Sequence, residues 1–239
     1  KSTIINEDDE KKHQNLLVTL EIQTQNSQMI LPLEDSFNLH THYKPQKEES
    51  IQFVNTQDFK NNTNAELWDK IILTPKEDHV IKALQIIEPN LERLTFIANP
   101  TSSDFERVPV IKFKNKPEIV PLQSMGDGLN RILTMILTLV NAKNGYFLID
   151  EFENGLHYSV QEKLWEVIFN LAFDLNIQVF ATTHSRDCIE AFSEIVNSKE
   201  KYQDCQYIRL DLMEDDTLRS TGYSSRELIL ANKHNIETR

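Results

Sequence analysis

A short apolar segment that ends in two adjacent acids constrains this chain more than any other feature. Tyr146–Ile149 are four apolar residues, and Asp150 and Glu151 follow them directly. A short, continuously apolar run is typical of a strand buried in a parallel sheet. Two carboxylates do not belong inside such a strand, so we expect them at its carboxyl end, where open α/β sheets bind ligands. The segment therefore predicts a site that holds a metal ion and a water molecule against a phosphate group.

Hydrophobic periodicity beyond residue 121 predicts alternating helices and strands. This order is typical of a parallel α/β layer. Helices are predicted at 129–140, 158–175 and 186–196, and strands at 146–149, 177–181 and 207–213. We expect the strand at 177–181 to be buried like the one at 146–149. The strand at 218–223 is expected to pair with 207–213 as a hairpin, before a final helix that reaches residue 235.

The first half of the chain predicts a different organisation. Alternating residues at 16–24 and 29–33, with a short run at 51–54, predict strands, and we assign 16–55 to a β-subdomain. Residues 56–120 are assigned to a helical lobe with connecting strands, because 66–72 and 75–88 have helical patterns and 91–98 and 108–113 read as strands. With 121–239, these parts are expected to form one domain of 239 residues.

Charge and cysteine content limit the classes of partner. The net charge is −12, so the surface as a whole does not attract nucleic acid, and no basic patch is evident from the sequence. Cys188 and Cys205 form neither a metal-binding spacing nor a disulfide framework, which favours the cytoplasm. No apolar run approaches the roughly 20 residues that span a bilayer, so no membrane partner is expected.

The glycines predict where backbone N–H groups are free. None of the five glycines fits Gly-x-x-x-x-Gly-Lys-Ser/Thr, so this sequence contains no phosphate loop of that type. Gly126 and Gly128 would each cost about 1 kcal/mol inside a helix. We therefore place them at the start of the helix at 129–140, where bare N–H groups can meet an anion.

Taken together, these segments resemble the ABC-type ATPase heads, which include the SMC-like and OLD-type ATP-binding proteins. The strand with Asp150 and Glu151 is similar to their Walker B motif, and Ser124–Gly128 is similar to their signature motif. Residues 154–157 fall where the D-loop lies, and His184, after a strand and two threonines, resembles the switch histidine. The resemblance implies an α/β P-loop NTPase with a mostly parallel sheet, an antiparallel β-subdomain and a helical lobe.

The resemblance also implies catalytic roles for three residues. Asp150 would hold Mg²⁺, because this hard cation prefers carboxylate and phosphate oxygens. Glu151 would orient and deprotonate the water that attacks ATP. His184 would donate a hydrogen bond to the γ-phosphate and sense its loss.

A second set of residues would act across a homodimer. By the same resemblance, Ser124, Gly126 and Gly128 would meet the γ-phosphate of an ATP molecule bound mainly by the other subunit. Asn154 and Gly155 would lie at the subunit interface, and Asn154 stands where aspartate is more usual. The phosphate loop of this family lies upstream of such segments, so we expect ATP hydrolysis to need a preceding segment. Head dimerisation would control a partner, for example an effector nuclease in phage defence or DNA repair.

Two other functions remain open from the sequence. The chain could be a nucleotide-dependent scaffold that binds ATP with little turnover. It could also be a Mg²⁺-dependent nuclease that combines Asp150 and Glu151 with one of the downstream acids Asp211, Glu214, Asp215 and Asp216. We assign only local roles to Glu153, which is expected to be exposed, and to His157, which is expected to start a helix.

Overall fold

A computed structural model describes residues 19–23, 28–32, 50–56, 61–99, 106–202, 204–213 and 217–233. The chain divides into two compact units, residues 1–48 and 49–239. In the first unit, β1 (Thr19–Gln23) pairs antiparallel with β2 (Gln28–Pro32). The two strands predicted near these positions from alternating residues are therefore present.

The second unit contains all the remaining elements. In chain order they are β3 (Ile51–Val54), α1 (Asn61–Asp69), α2 (Pro75–Ile87), β4 (Leu91–Ala98), β5 (Arg107–Phe113), β6 (Ile119–Pro121), α3 (Asp127–Asn141), β7 (Tyr146–Ile149), α4 (Tyr158–Leu175), β8 (Gln178–Ala181), α5 (Arg186–Ser198), β9 (Gln206–Leu212), β10 (Leu218–Ser224) and α6 (Ser225–Lys233).

A three-stranded parallel sheet positions the acidic segment. Its strand order is β3-β7-β8, with Val54 opposite Ile149 and Ile149 opposite Ala181. The parallel pairing predicted for 146–149 and 177–181 is therefore present. The third strand predicted for this layer, at 207–213, is instead found in a separate antiparallel hairpin within the described residues, so that part of the prediction is wrong. The strand β3 was predicted to belong to the β-subdomain, but it pairs with β7. Hydrophobic pattern alone does not reveal a pairing between strands that lie 95 positions apart.

The helix α3 forms the centre of the core. All of its residues from Leu129 to Val140 except Asn130 are buried, which confirms the predicted buried helix. Phe147 and Ile149 on β7 are also buried, and they belong to the same hydrophobic cluster as α3 and α4. One face of the parallel sheet therefore packs into the core.

The opposite face of this sheet is exposed, which contradicts the prediction that the strand at 177–181 is buried. The segment 177–181 was expected to be a buried strand, yet Phe180 on β8 is 51% exposed. Ile51 and Phe53 on β3 are exposed by more than half on the same face. The physical reason is that β8 ends the described sheet, and the described helices bury the other face. The apolar composition of a strand shows that its side chains can be buried. It does not show which neighbouring element, if any, packs on each face.

Two antiparallel sheets complete the described unit. The strands β4, β5 and β6 form one sheet, and β9 and β10 form a hairpin, which confirms the pairing predicted for the C-terminal strands.

The helix predicted at 66–72 is shifted, because α1 covers Asn61–Asp69 and Leu73 has a left-handed φ of 61°. Position 235, the predicted end of α6, lies outside the described residues.

Helix caps follow the predicted chemistry. Thr74 accepts from the N–H of Lys76 at the start of α2, and Ser185 accepts from Cys188 at the start of α5. His157 accepts from the N–H of Ser159, so its predicted role in starting α4 is confirmed. Within the described ranges, no helix has both the length and the apolar character required to cross a membrane.

Candidate functional site

Thr182 joins the carboxyl ends of β7 and β8. Its hydroxyl donates a hydrogen bond of 2.6 Å to Asp150 Oδ1 and accepts one of 2.9 Å from the backbone N–H of Glu151. The N–H of Phe152 donates to the Thr182 carbonyl at 3.0 Å. These bonds follow from the parallel register, which places the ends of the two strands side by side. The two acids are thus fixed at the sheet edge by the neighbouring strand.

Glu151 has an unusual backbone conformation. Its φ of 45° lies in the left-handed region, which costs a residue other than glycine roughly 1 kcal/mol or more. Its carbonyl oxygen accepts a hydrogen bond of 2.6 Å from Arg131 Nη2. The side-chain amide of Asn154 lies 3.4 Å from Glu151 Oε2, which is a long hydrogen bond. Contacts on the backbone and on the carboxylate therefore both orient Glu151.

Arg131 is a buried cation beneath the acidic segment. It lies on α3, is 3% exposed, and also donates to the Asp150 carbonyl at 3.4 Å. Burial lowers the pKa of its guanidinium, and the carboxylates of Glu151, Glu153 and Asp150 act in the opposite direction. Because arginine stays protonated in proteins, this side chain supplies a positive charge close to three acids. Sequence reasoning missed Arg131; a single cation inside an otherwise apolar helix was the available signal.

Glu153 connects the acidic segment to the loop after β8. Its Oε2 accepts from the Thr183 hydroxyl at 2.6 Å, and its Oε1 accepts from the backbone N–H of His184 at 2.8 Å. The expectation of an exposed, local residue is wrong, since Glu153 is half-buried and bonded to two residues of the next strand's loop. The sequence offers no local signal for this contact, because the partners lie about 30 positions away.

His184 lies where β8 gives way to α5. The residue is exposed, and its backbone N–H is held by Glu153. The next residue, Ser185, donates its N–H to the Thr183 hydroxyl at 3.1 Å and caps α5. The structure thus brings the loop of His184 to the same sheet edge as Asp150.

The segment that resembles a signature motif forms a tight turn into α3. Residues Leu122–Met125 make one turn of 3-10 helix, and Gly126, with a φ of 97°, precedes the first residue of α3. This agrees with the predicted helix start. The Ser124 hydroxyl donates to the Pro121 carbonyl at 2.7 Å, so it is oriented by its own loop. Ser124 and Gly126 are both exposed.

The D-loop position contacts the start of α3. Gly155 has a φ of 69°, and its carbonyl oxygen lies 3.3 Å from the position that a Cβ atom on Gly128 would occupy. A Cβ atom on Gly155 would lie 3.7 Å from the Arg131 side chain. Asn154 and Gly155 are both exposed, and the N–H of Asn154 donates to the Glu151 carbonyl at 3.0 Å.

The predicted site residues form two groups. Asp150, Glu151 and the His184 loop are joined by hydrogen bonds through Thr182 and Glu153. Gly128 adjoins Gly155, whereas within the described ranges no hydrogen bond links Ser124 or Gly126 to the first group. Sequence reasoning found the residues at the strand ends but missed the threonines and the glutamate that join them.

The acidic edge suits a magnesium ion only in part. Mg²⁺ is usually bound by one or two carboxylates together with water and substrate phosphates. Asp150 offers one such carboxylate, half-buried and already oriented by the Thr182 hydroxyl. Across the described ranges, no group of three His, Cys, Asp or Glu side chains is arranged to hold a metal ion. An ion here would therefore need phosphate and water oxygens to complete its coordination.

The downstream acids do not add to this site where they are described. The carboxylate of Asp211 on β9 accepts from Arg209 Nε at 2.7 Å, in an ion pair between two half-buried side chains. Glu214, Asp215 and Asp216 lie outside the described residues. The nuclease alternative therefore gains no support from Asp211, and the other three acids leave it untested.

Parallel strands alternating with helices, and acids at the carboxyl end of the central strand, define an α/β protein with a ligand-binding sheet edge. The chain belongs to the AAA ATPase domain family, whose model matches residues 1–189. This membership confirms the predicted P-loop NTPase fold class and the prediction that the chain is an ATPase domain.

Two curated relatives are similar over part of the chain. An ATP/GTP phosphatase of Helicobacter pylori is 34% identical over 129 residues, which are 52% of this chain and 32% of the relative. The uncharacterized protein MJECL11 of Methanocaldococcus jannaschii is 37% identical over 70 residues, covering 29% of this chain and 61% of the relative. The matches thus span less than two thirds of each relative.

Several solved structures of SMC proteins are similar to part of this chain. One comes from work on ATP-driven dimerization and DNA-stimulated activation of SMC ATPases; its TM-score is 0.47 at 10% identity, over 75% of this chain and 99% of that one. Another is an Smc head bound to the C-winged helix domain of ScpA, with a TM-score of 0.43 at 11% identity, over 62% of this chain and 42% of that one.

Proposed function

We propose that this chain forms the hydrolytic half of an ATPase site, in which Glu151 is the general base. The observation that carries the proposal is the network that binds Asp150 and Glu151 to Thr182 and ties the His184 loop to Glu153. This network presents two carboxylates and a histidine loop at one sheet edge, where α/β proteins bind phosphates. Membership in an ATPase domain family and a relative named ATP/GTP phosphatase support the same reaction.

In this proposal, the chain's own residues divide the chemistry among them. Glu151 accepts a proton from a water molecule as that water attacks the γ-phosphorus of ATP in line with the leaving ADP oxygen. Asn154, which contacts the Glu151 carboxylate, orients it toward the water. Asp150 would hold Mg²⁺, and the ion would neutralise charge on the phosphate oxygens. His184 donates a hydrogen bond to the γ-phosphate and releases it after cleavage.

We further propose that two copies share each nucleotide. The exposed turn at Ser124 and Gly126 supplies a hydroxyl and free N–H groups at the start of α3, where a helix dipole favours an anion. Within its own chain this turn has no hydrogen bond to the acidic edge among the described residues, which suits a role on the nucleotide of a second copy. Asn154 and Gly155, also exposed, would lie at the same homodimer interface.

We propose that a phosphate loop binds the β- and γ-phosphates. This sequence does not contain such a loop. From the resemblance to ABC-type heads we propose a preceding segment that carries this loop, and we expect turnover only from a protein that includes it. Opening and closing of the dimer would control a partner, such as an effector nuclease in phage defence or DNA repair. This last step rests on the resemblance to SMC-like and OLD-type heads alone.

The test is the ATPase activity of the full-length protein against its Glu151→Gln variant. Glutamine keeps the size of the side chain but cannot accept the proton, so we expect steady-state turnover to fall by about two orders of magnitude or more. The variant should also accumulate as an ATP-bound dimer in size-exclusion chromatography with light scattering. Binding without turnover in both proteins would favour the scaffold, and DNA cleavage without nucleotide would favour the nuclease.

A further inference from the structure

We propose that Glu153 is a positioning residue that fixes the loop of His184, an inference that rests on the proposed function. Its two carboxylate oxygens accept from two consecutive residues: the Thr183 hydroxyl at 2.6 Å and the His184 backbone N–H at 2.8 Å. Glu153 follows Glu151 by two positions, on the same turn after β7. One side chain therefore sets the distance between the strand end that carries the base and the loop that carries the histidine.

The loop between β8 and α5 depends on such contacts. Residues 182–185 have neither strand nor helix structure. The backbone of Thr182 is bonded to Ile149 and Phe152, whereas among the described residues Thr183 and His184 have no backbone-to-backbone hydrogen bond that would fix them. Thr182 is held by Asp150 and Glu151, and the N–H of Ser185 is held by the Thr183 hydroxyl. The Thr183 hydroxyl also contacts the Cys188 side chain, whereas the described hydrogen bond of the His184 N–H leads to Glu153. Loss of the Glu153 carboxylate would release the His184 N–H and remove one of the contacts that hold Thr183.

The two bonds require a carboxylate rather than a neutral amide. A carboxylate offers acceptors on both oxygens, whereas glutamine offers one oxygen and a nitrogen that only donates. In the same pose, glutamine would place its oxygen on one donor and its NH₂ group on the other. The NH₂ group cannot accept from the His184 N–H and can meet the Thr183 hydroxyl only as a donor. Hydrogen bonds to an ionised acceptor are also shorter and stronger than neutral ones, in keeping with the 2.6 Å contact to Thr183.

A positioning role makes different predictions from a purely structural one. If Glu153 acts on turnover through His184, its effect disappears once the imidazole is removed. If Glu153 only stabilises the fold, its effect on turnover persists in a protein that lacks the imidazole. The kinetic test is therefore a double-mutant cycle of Glu153→Ala and His184→Ala in the full-length protein, with Glu162→Ala, an exposed acid on α4, as the matched control.

The expected kinetic result is specific. Glu153→Ala should lower kcat roughly ten- to hundredfold, because small displacements of a reacting group have costs of that size, and should leave KM within about twofold. The double variant should be within about twofold of His184→Ala alone. Glu153→Gln, which removes one acceptor oxygen, and Thr183→Val, which removes one of the two bonds, should have intermediate kcat values. They also provide the test if Glu153→Ala does not fold.

Hydrogen exchange of the His184 amide measures whether Glu153 holds this loop, and it does not depend on turnover. With selective ¹⁵N-histidine labelling of the full-length protein, the His184 amide should exchange about ten times faster or more in Glu153→Ala, as expected for the loss of a bond to a charged acceptor. Thr183→Val and Glu162→Ala should leave that amide closer to wild type. An exchange rate within twofold of wild type in Glu153→Ala would overturn the inference.

The positioning role of Glu153 and ATP hydrolysis can be contradicted separately. Additive effects of Glu153→Ala and His184→Ala on kcat would also overturn the positioning role, even though ATP hydrolysis itself would stand. Wild-type turnover in His184→Ala would remove the proposed role of His184, and the kinetic role of Glu153 with it. The exchange rate would still report whether Glu153 holds the loop.

Discussion

The Nη2 atom of Arg131 lies 2.6 Å from the carbonyl oxygen of Glu151, so the helix that follows the glycine turn directly supports the backbone of the proposed base. Glu151 has a left-handed φ of 45°, a conformation that needs support from its surroundings. Arg131 also adjoins Gly155, where a Cβ atom would lie 3.7 Å from its Cδ atom. A single buried side chain thus contacts the acidic segment and the D-loop position.

Replacement of Arg131 by methionine is expected to lower the free energy of unfolding by about 1–3 kcal/mol. The change preserves much of the apolar volume but removes a charged donor from the Glu151 carbonyl, and bonds to charged groups are worth about this much. Urea unfolding of the two proteins measures the difference. Arg226→Met, at an exposed position on α6, is the control and should change stability by less than about 0.5 kcal/mol. Equal stability of wild type and Arg131→Met would contradict this account.

Gly145→Ala is expected to disrupt the pairing of β3 with β7. A Cβ atom at this position would lie 2.0 Å from the carbonyl oxygen of Ser50, which accepts a hydrogen bond from the N–H of Tyr146. Backbone atoms on both strands would have to move, and we expect a loss of about 3 kcal/mol or more. The measurement is thermal unfolding by circular dichroism.

Gly222→Ala is the matched control for Gly145→Ala. There the added Cβ atom would meet only the end of the flexible Gln206 side chain, at 2.7 Å. This side chain is exposed and can move, so the melting temperature should change little. Similar destabilisation by both alanines would show that the close approach of Gly145 to Ser50 is not the cause.

The thiol of Cys188 is expected to make stability depend on alkaline pH. Burial raises its pKa from 9.0 to about 11, because the thiolate is poorly solvated in the core. A raised pKa in the folded state means that stability is complete below pH 9.0 and is lost as the pH rises toward about 11. The loss over that interval is of order 2–3 kcal/mol, at about 1.4 kcal/mol per pKa unit.

The comparison with Cys188→Ala isolates this contribution. Lysine and tyrosine side chains also titrate in the alkaline range, so each protein is unfolded by urea at pH 8 and pH 10. The free energy of unfolding should fall less in Cys188→Ala than in wild type between the two pH values. Identical decreases in the two proteins would show that the thiol does not contribute.

The stacked pair of Phe152 and Trp165 is expected to anchor the turn that follows β7. Their ring centroids are 4.0 Å apart and the ring planes differ by 4°. Phe152 is fully buried, and its neighbours in the sequence are Glu151 and Glu153. Phe152→Ala should cost about 3–5 kcal/mol, and Phe152→Leu substantially less. Urea unfolding followed by tryptophan fluorescence measures both. A cost below 1 kcal/mol for alanine would contradict the proposed anchoring.

Local pattern predicted the elements of this fold whose burial follows from their own composition. The helix α3 is apolar enough that only the core accommodates it, and the caps at Thr74 and Ser185 are set by residues within the same turn. The strand β7 was expected to be fully buried, but only Phe147 and Ile149 are buried while Tyr146 and Leu148 are partly exposed. Relationships between distant segments were not predictable in this way. The pairing of β3 with β7 and the exposure of β8 depend on which neighbour covers each strand.

In the candidate site, too, local features were predictable and contacts between distant segments were not. Asp150, Glu151 and His184 were found because polar residues after apolar strands must lie at the sheet edge. Glu153 and Arg131 were not found, because their importance comes from partners about 20 or 30 positions away, at Glu151 and His184. A charged residue in an apolar setting, such as Arg131 in α3, is a signal that sequence reasoning can use.

The most direct test of the central claim is the single-turnover rate of ATP cleavage in the full-length protein, measured with enzyme in excess for wild type and Glu151→Gln. The account predicts that the variant binds ATP with a Kd within a few-fold of wild type, since Glu151 acts on the water and not on binding. It also predicts that γ-phosphate release slows by at least about a hundredfold. Cleavage by Glu151→Gln at the wild-type rate would contradict the assignment of Glu151 as the base.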